Sequence, residues 1–271
     1  MSNLALRTIT GFIGAAILLS GIIFSEPTFL LLLAFISTMA LLEFYRLCEK
    51  ENIKPQKLLG AVINLIMFLP PLIQNTFQTG FNILPLIIIF PFIIFIRELF
   101  RDSGNPIHNI GSTLLGVLYI SLPLFCFYLI SFQGILDNYQ YKCILGYFFI
   151  LWANDIGAYF AGTYFGKHKL FERISPKKTW EGFFGGALFA YVITIVTAHY
   201  FTNFTLIQWL IVATIIIVTG TLGDLIESMF KRSAYLKDSG KSIPGHGGFL
   251  DRFDSLFISA PFVFFYLQMW K

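Results

Sequence analysis

The chain has 271 residues, 56% of them hydrophobic and only 13% charged, with a mean hydropathy of +0.73 and a formal net charge of +4. A soluble domain carries roughly a quarter charged residues, so this chain lacks the polar groups needed to cover a soluble surface. The composition excludes a water-soluble globular enzyme, and the excess of cations points to membrane topology rather than to nucleic acid.

The predicted elements are apolar stretches long enough to cross or nearly cross a bilayer. In chain order they lie near residues 8–24, 28–42, 58–73, 83–96, 109–130, 143–165, 181–200, 206–229 and 254–270. The expected fold class is an all-α polytopic membrane protein with about nine transmembrane helices. Arg7 before an apolar run has the look of a signal peptide, but Ser25-Glu26-Pro27 leads straight into another apolar stretch, so an uncleaved first helix is expected. The third and fourth stretches are short and carry Pro70, Pro71, Pro85 and Pro91, which predicts kinks or tilted helices there. Cys48, Cys126 and Cys143 show neither metal-like spacing nor a disulfide framework and read as packing residues.

The cations sort cleanly on nine spans. With the N-terminus in the cytoplasm and the C-terminus outside, the inside segments hold Arg7, then Arg46, Lys50, Lys54 and Lys57, then Arg97 and Arg101. They also hold Lys167, Lys169, Arg173, Lys177 and Lys178, and finally Lys231, Arg232, Lys237, Lys241 and Arg252. Of 19 cations only Lys142 and Lys271 fall outside, as the positive-inside rule requires. Residues 1–142 form a chemically quiet part of about five spans. Residues 143–271 form a part of about four spans, with cytoplasmic loops and the polar motifs.

In the sixth stretch, Asn154 and Asp155 stand in mid-helix, which is costly unless they line a wet cavity. Gly162 and Gly166 follow in a spacing that allows close helix packing. The loop Lys167 to Gly182 contains Ser175-Pro-Lys-Lys178-Thr179, read as a turn into a helix start where Lys177 and Lys178 could hold phosphates. In the eighth stretch Asp224, Glu227, Ser228 and Lys231 recur at i, i+3, i+4 and i+7, one helix face. Asp224 is the deeper carboxylate and the better metal-ligand candidate, while Lys231 and Arg232 suit phosphate. Next come Lys237-Asp238 and Pro244-Gly-His-Gly-Gly-Phe-Leu-Asp251-Arg252-Phe-Asp254. Three glycines around His246 permit positive φ and close approach of N–H groups to an anion. Asp251 and Asp254, three residues apart at a helix start, can share a cation, and oxygen ligands beside phosphate favour Mg²⁺ over zinc.

Taken together these residues resemble the phosphatidate cytidylyltransferase family, also called CDP-diacylglycerol synthases. The family signature is matched by Ser228, Lys231-Arg232, Lys237-Asp238, Pro244, His246-Gly247-Gly248 and Asp251-Arg252-Phe253-Asp254. Gly223-Asp224-Leu225-x-Glu227-Ser228, the Asn154-Asp155 region and Ser175-Pro-Lys-Lys-Thr also resemble family motifs, so the specific likeness spans about residues 150–255. The resemblance implies an enzyme that joins CTP to phosphatidic acid, giving CDP-diacylglycerol and pyrophosphate. It further implies Mg²⁺, a second cation, a homodimer, and metal-site roles for Asp224 and Asp251. With those roles, Asp254 and Asp155 are expected as supporting ligands, and Ser228, Lys178, Lys231, Arg232, Lys237 and Arg252 as phosphate-binding groups. His246 is expected to donate to a phosphate oxygen or to order the loop. In a bacterium such an enzyme sits in the inner membrane with its site facing the cytoplasm. Two other classes compete: a CTP-dependent polyprenol or lipid kinase, and an ion or solute transporter using Asp155, Asp224 and Glu227 as a relay.

Overall fold

The computed structural model describes residues 3–77, 84–102, 104–133, 138–236, 238–240, 242–245 and 247–270. Among them are nine helices: α1 (Asn3–Phe24), α2 (Glu26–Lys50), α3 (Lys57–Phe77), α4 (Leu84–Leu99), α5 (Pro106–Ile130), α6 (Tyr141–Phe165), α7 (Trp180–Tyr200), α8 (Leu206–Ser233) and α9 (Leu250–Met269). Five are long and apolar enough to cross a membrane: α2, α5, α6, α7 and α8. By that measure the chain is an integral membrane protein. A short antiparallel hairpin, β1 (Lys169–Phe171) and β2 (Ser175–Thr179), adds to the expected all-α plan.

Two compact units divide the chain. One comprises Met1–Phe125 with Ser233–Arg252, the other Cys126–Arg232 with Phe253–Lys271.

In the first unit, α2 starts on a capping box. Ser25 Oγ accepts the Thr28 N–H at 3.4 Å, and Thr28 Oγ1 accepts the Ser25 N–H at 3.1 Å. Both satisfy N–H groups that a helix start otherwise leaves orphaned. The buried face of α2 carries Phe29, Leu33, Leu41 and Tyr45, and the Tyr45 hydroxyl donates to Thr113 O on α5 at 2.9 Å. Helix α3 runs through Pro71 and α4 through Pro91. In α5, Pro123 brings no N–H for the Tyr119 carbonyl, and the helix widens into a π-helical turn at Val117–Ser121 just before it. Buried Glu98 accepts from Gln56 Nε2 (2.6 Å), Arg101 Nη1 (2.8 Å) and Asn109 Nδ2 (2.8 Å), which makes a polar clasp between α4, α5 and the segment before α3 with both Glu98 oxygens engaged.

In the second unit, α6 and α7 pack closely through small residues. A Cβ on Gly185 would lie 2.1 Å from Ala161 Cβ, and one on Gly157 would lie 2.7 Å from Phe189 Cβ. The hairpin joins these two helices, and Thr179 caps α7 by accepting the Gly182 N–H at 3.2 Å. Glu181 closes the other side of the hairpin, accepting from the Lys167 N–H at 3.1 Å and meeting His168 Nδ1 at 2.6 Å. The core of the unit holds Ile144, Ile150, Trp209, Ile216, Phe257 and Val263, with Tyr147 bonded to Ser259. On α7 the large side chains of Phe184, Leu188, Val192 and Ile195 face outward in one stripe, as a lipid-facing helix requires.

Candidate active site

The second unit assembles a carboxylate cluster. Asp224 and Glu227 sit one turn apart on α8, Asp254 stands in the first turns of α9, and one oxygen of each lies within 4.8 Å of the others. The approach is made possible by Gly223, where a Cβ would lie 2.6 Å from the Asp254 carbonyl oxygen. Any larger residue would push α8 off the start of α9 and separate the carboxylates.

Cations and donors surround the cluster. Lys178, from β2, places Nζ 2.5 Å from Asp224 Oδ2, with both side chains part-exposed. Lys231 pairs with Glu227 one turn back on α8, and Glu227 is 0% exposed. Ser228 Oγ donates to Asp224 Oδ1 at 3.3 Å, and the Ser255 N–H donates to Asp254 Oδ1 at 2.7 Å. Asp155 on α6 is an electrostatic neighbour of Asp254 together with Asp224 and Lys178. Three acidic groups with two lysines form a donor set of hard oxygens with compensating charge. Such a set can hold a divalent cation and bind phosphate beside it.

In the first unit, the described residues between Ser239 and Leu250 are shaped by glycines and by Asp251. Gly245 and Gly247 have φ of 77° and 82°, the left-handed region expected for this glycine run. The Ile243 N–H donates to Gly247 O at 2.9 Å, closing a tight turn. Asp251 Oδ2 accepts from the Ser239 N–H (3.0 Å), Ser239 Oγ (2.9 Å) and the Gly248 N–H (2.9 Å).

The residues singled out from the sequence therefore have different surroundings. Asp224 and Asp254 come together with Glu227, and Lys178 and Ser228 contact Asp224. Lys231 is engaged by Glu227, and Asp251 by its own loop. Arg232 and Arg252 are exposed. Lys237 and His246 lie outside the described residues. Helical spacing puts Glu227 on this face but does not mark it as a metal ligand; its complete burial is what sets it apart.

The chain matches the model of the cytidylyltransferase family over residues 5–270. It is 33% identical over 274 residues to the phosphatidate cytidylyltransferase of Bacillus subtilis, covering 100% of both chains. It is 34% identical over 258 residues to that of Staphylococcus haemolyticus, covering 94% of this chain and 95% of the relative. With the enzyme of the same name from Staphylococcus aureus it shares 34% identity over 236 residues, 86% of this chain and 88% of the relative. A match of this extent settles the family: the chain belongs to the cytidylyltransferases.

Proposed function

We infer that this chain transfers the cytidylyl group of CTP to phosphatidic acid, giving CDP-diacylglycerol and pyrophosphate in phospholipid biosynthesis. Full-length likeness to enzymes named phosphatidate cytidylyltransferase supports the substrates. The observation that carries the chemistry is the Asp224, Glu227 and Asp254 cluster with Lys178 and Lys231 beside it.

An oxygen of the phosphatidate phosphate attacks the α-phosphorus of CTP in line. The bond from that phosphorus to the oxygen bridging to the β-phosphate breaks, and pyrophosphate leaves with the electron pair. The attacking group is already an anion, so no side chain need be activated as a nucleophile. Two polyanions must meet, and the protein's task is to neutralise charge and align the phosphates.

Asp224, Asp254, Asp155 and Asp251 are the residues proposed to hold Mg²⁺, with a second cation alongside, and Glu227 adds a further carboxylate to that set. Bound there, the cation supplies charge stabilisation for the attacking and leaving oxygens. Lys178 and Lys231, paired here with carboxylates, exchange those partners for substrate phosphate. Arg232, Lys237, Arg252 and Ser228 complete the phosphate-binding set, and His246 donates to a phosphate oxygen or orders its loop. The proposed setting is a homodimer crossing the membrane nine times, N-terminus and site on the cytoplasmic side. In a bacterium that is the inner membrane, where lipid arrives from the bilayer and CTP from the cytoplasm.

Purified protein in detergent, given phosphatidic acid, CTP and Mg²⁺, should yield CDP-diacylglycerol and pyrophosphate in equal amounts by mass spectrometry and phosphate analysis. A pyrophosphorylated lipid with CDP released would instead mean γ-phosphoryl transfer, and it would overturn this reading.

A further inference from the structure

Glu43 stands on α2 in the apolar run Leu41-Leu42-Glu43-Phe44-Tyr45 and is 1% exposed. A carboxylate at that depth is costly unless something nearby needs it. Its Oε2 accepts the backbone N–H of Leu250, the first residue of α9, at 2.9 Å. Helix starts leave N–H groups without intrahelical acceptors, and here a side chain from 207 residues away supplies one. Among the described residues Glu43 Oε1 has no hydrogen-bond partner.

Two glycines make the room for this carboxylate. A Cβ on Gly248 would lie 2.3 Å from Glu43 Oε2 and 2.6 Å from Ser239 Oγ. One on Gly240 would lie 2.7 Å from Glu43 Oε1. Ser239 and Gly248 are also the residues whose donors hold Asp251 Oδ2. Gly248 thus lies against both carboxylates, and Gly240, beside Glu43, directly follows Ser239 in the chain.

We propose that Glu43 is a positioning residue for cytidylyl transfer: by pinning the Leu250 amide and packing against Gly240 and Gly248, it holds Asp251 in its working orientation without touching substrate. This rests on the assignment of Asp251 to the reaction made above. Gly240 and Gly248 are then needed for the space they leave to the buried carboxylate.

The test compares full-length Glu43→Gln, Glu43→Ala, Gly248→Ala and Asp251→Asn in detergent by kcat, KM for each substrate and melting temperature. Glu43→Gln keeps an acceptor for the Leu250 amide and should stay within about threefold of the parent kcat, because the geometry survives. Glu43→Ala should lose about 30- to 100-fold in kcat per folded molecule, the cost of a misplaced group, with both KM values moving less than about threefold. Gly248→Ala should reproduce that kcat loss with Glu43 intact, and it decides the question if Glu43→Ala does not fold. A Glu43→Ala or Gly248→Ala enzyme with parent kcat would overturn the proposal, as would a Glu43→Gln enzyme as impaired as Glu43→Ala. Asp251→Asn separates the two layers. Full activity in that variant sinks the site assignment itself, whereas its inactivity beside a fully active Glu43→Ala sinks only the positioning role.

Discussion

Gly223 of α8 meets the backbone of Asp254 so closely that a Cβ on the glycine would lie 2.6 Å from the Asp254 carbonyl oxygen and 3.1 Å from Ser255 Cα. Both obstacles are main chain and cannot rotate away. Three residues earlier, a Cβ on Gly220 would meet Ser255 Cβ at 3.5 Å, an ordinary contact. The pair gives a controlled comparison. Gly223→Ala should cost about 1–3 kcal/mol of stability by overpacking and should lower activity further by parting Asp224 from Asp254. Gly220→Ala should be close to silent in both melting temperature and turnover.

Asp224→Asn and Asp254→Asn each remove one anionic oxygen from the three-carboxylate cluster while keeping its shape. Each should reduce turnover at least about 100-fold, as loss of an electrostatic stabiliser does, with the melting temperature held or raised. Residual activity should need more Mg²⁺ for half-saturation than the parent does, and chelation by EDTA should silence the parent reversibly. Near-normal turnover in either variant would remove that residue from the cluster's chemistry.

Lys231 and Glu227 test a different property, since Glu227 is completely buried. Lys231→Met strands a buried carboxylate and should cost about 3–5 kcal/mol, read as a large fall in melting temperature. Adding Glu227→Gln should recover most of that stability without restoring turnover. If both melting temperature and activity returned together, the pair would be structural alone.

Lys178 reaches Asp224 from β2, where both side chains retain solvent contact. The ion pair is therefore worth little to folding, and Lys178→Ala should leave the melting temperature nearly unchanged. Its effect should fall on CTP, with KM raised about tenfold, as loss of one charge-assisted phosphate contact implies. An unchanged KM would take Lys178 out of nucleotide binding.

Much of this was readable in the sequence for a simple reason. Helical spacing puts Asp224 and Glu227 on one face, and within the described residues each of the nine apolar stretches lies mainly on one helix because hydrophobic runs of that length have few other outcomes. The glycine run around position 246 announced positive φ, found at Gly245 and Gly247. What escaped depends on distant partners. Nothing local marks Glu43 as the acceptor for an amide 207 residues on, and the first 142 residues therefore read as chemically quiet. Glu98 escaped in the same way: Arg101 is a neighbour three residues on, but Gln56 and Asn109 come from other segments. The hairpin around Ser175-Pro-Lys-Lys-Thr179 lacks the alternating apolar residues that signal a strand, so only the helix start after it was legible.

The most direct measurement is a detergent-micelle assay in which CTP carries its label at the α-phosphate in one reaction and at the γ-phosphate in another. Parent and Asp224→Asn proteins would be run side by side. Cytidylyl transfer at the cluster predicts α-label in the lipid and γ-label in pyrophosphate for the parent, with both signals lost in the variant. γ-Label in the lipid, or undiminished α-label transfer by Asp224→Asn, would contradict it.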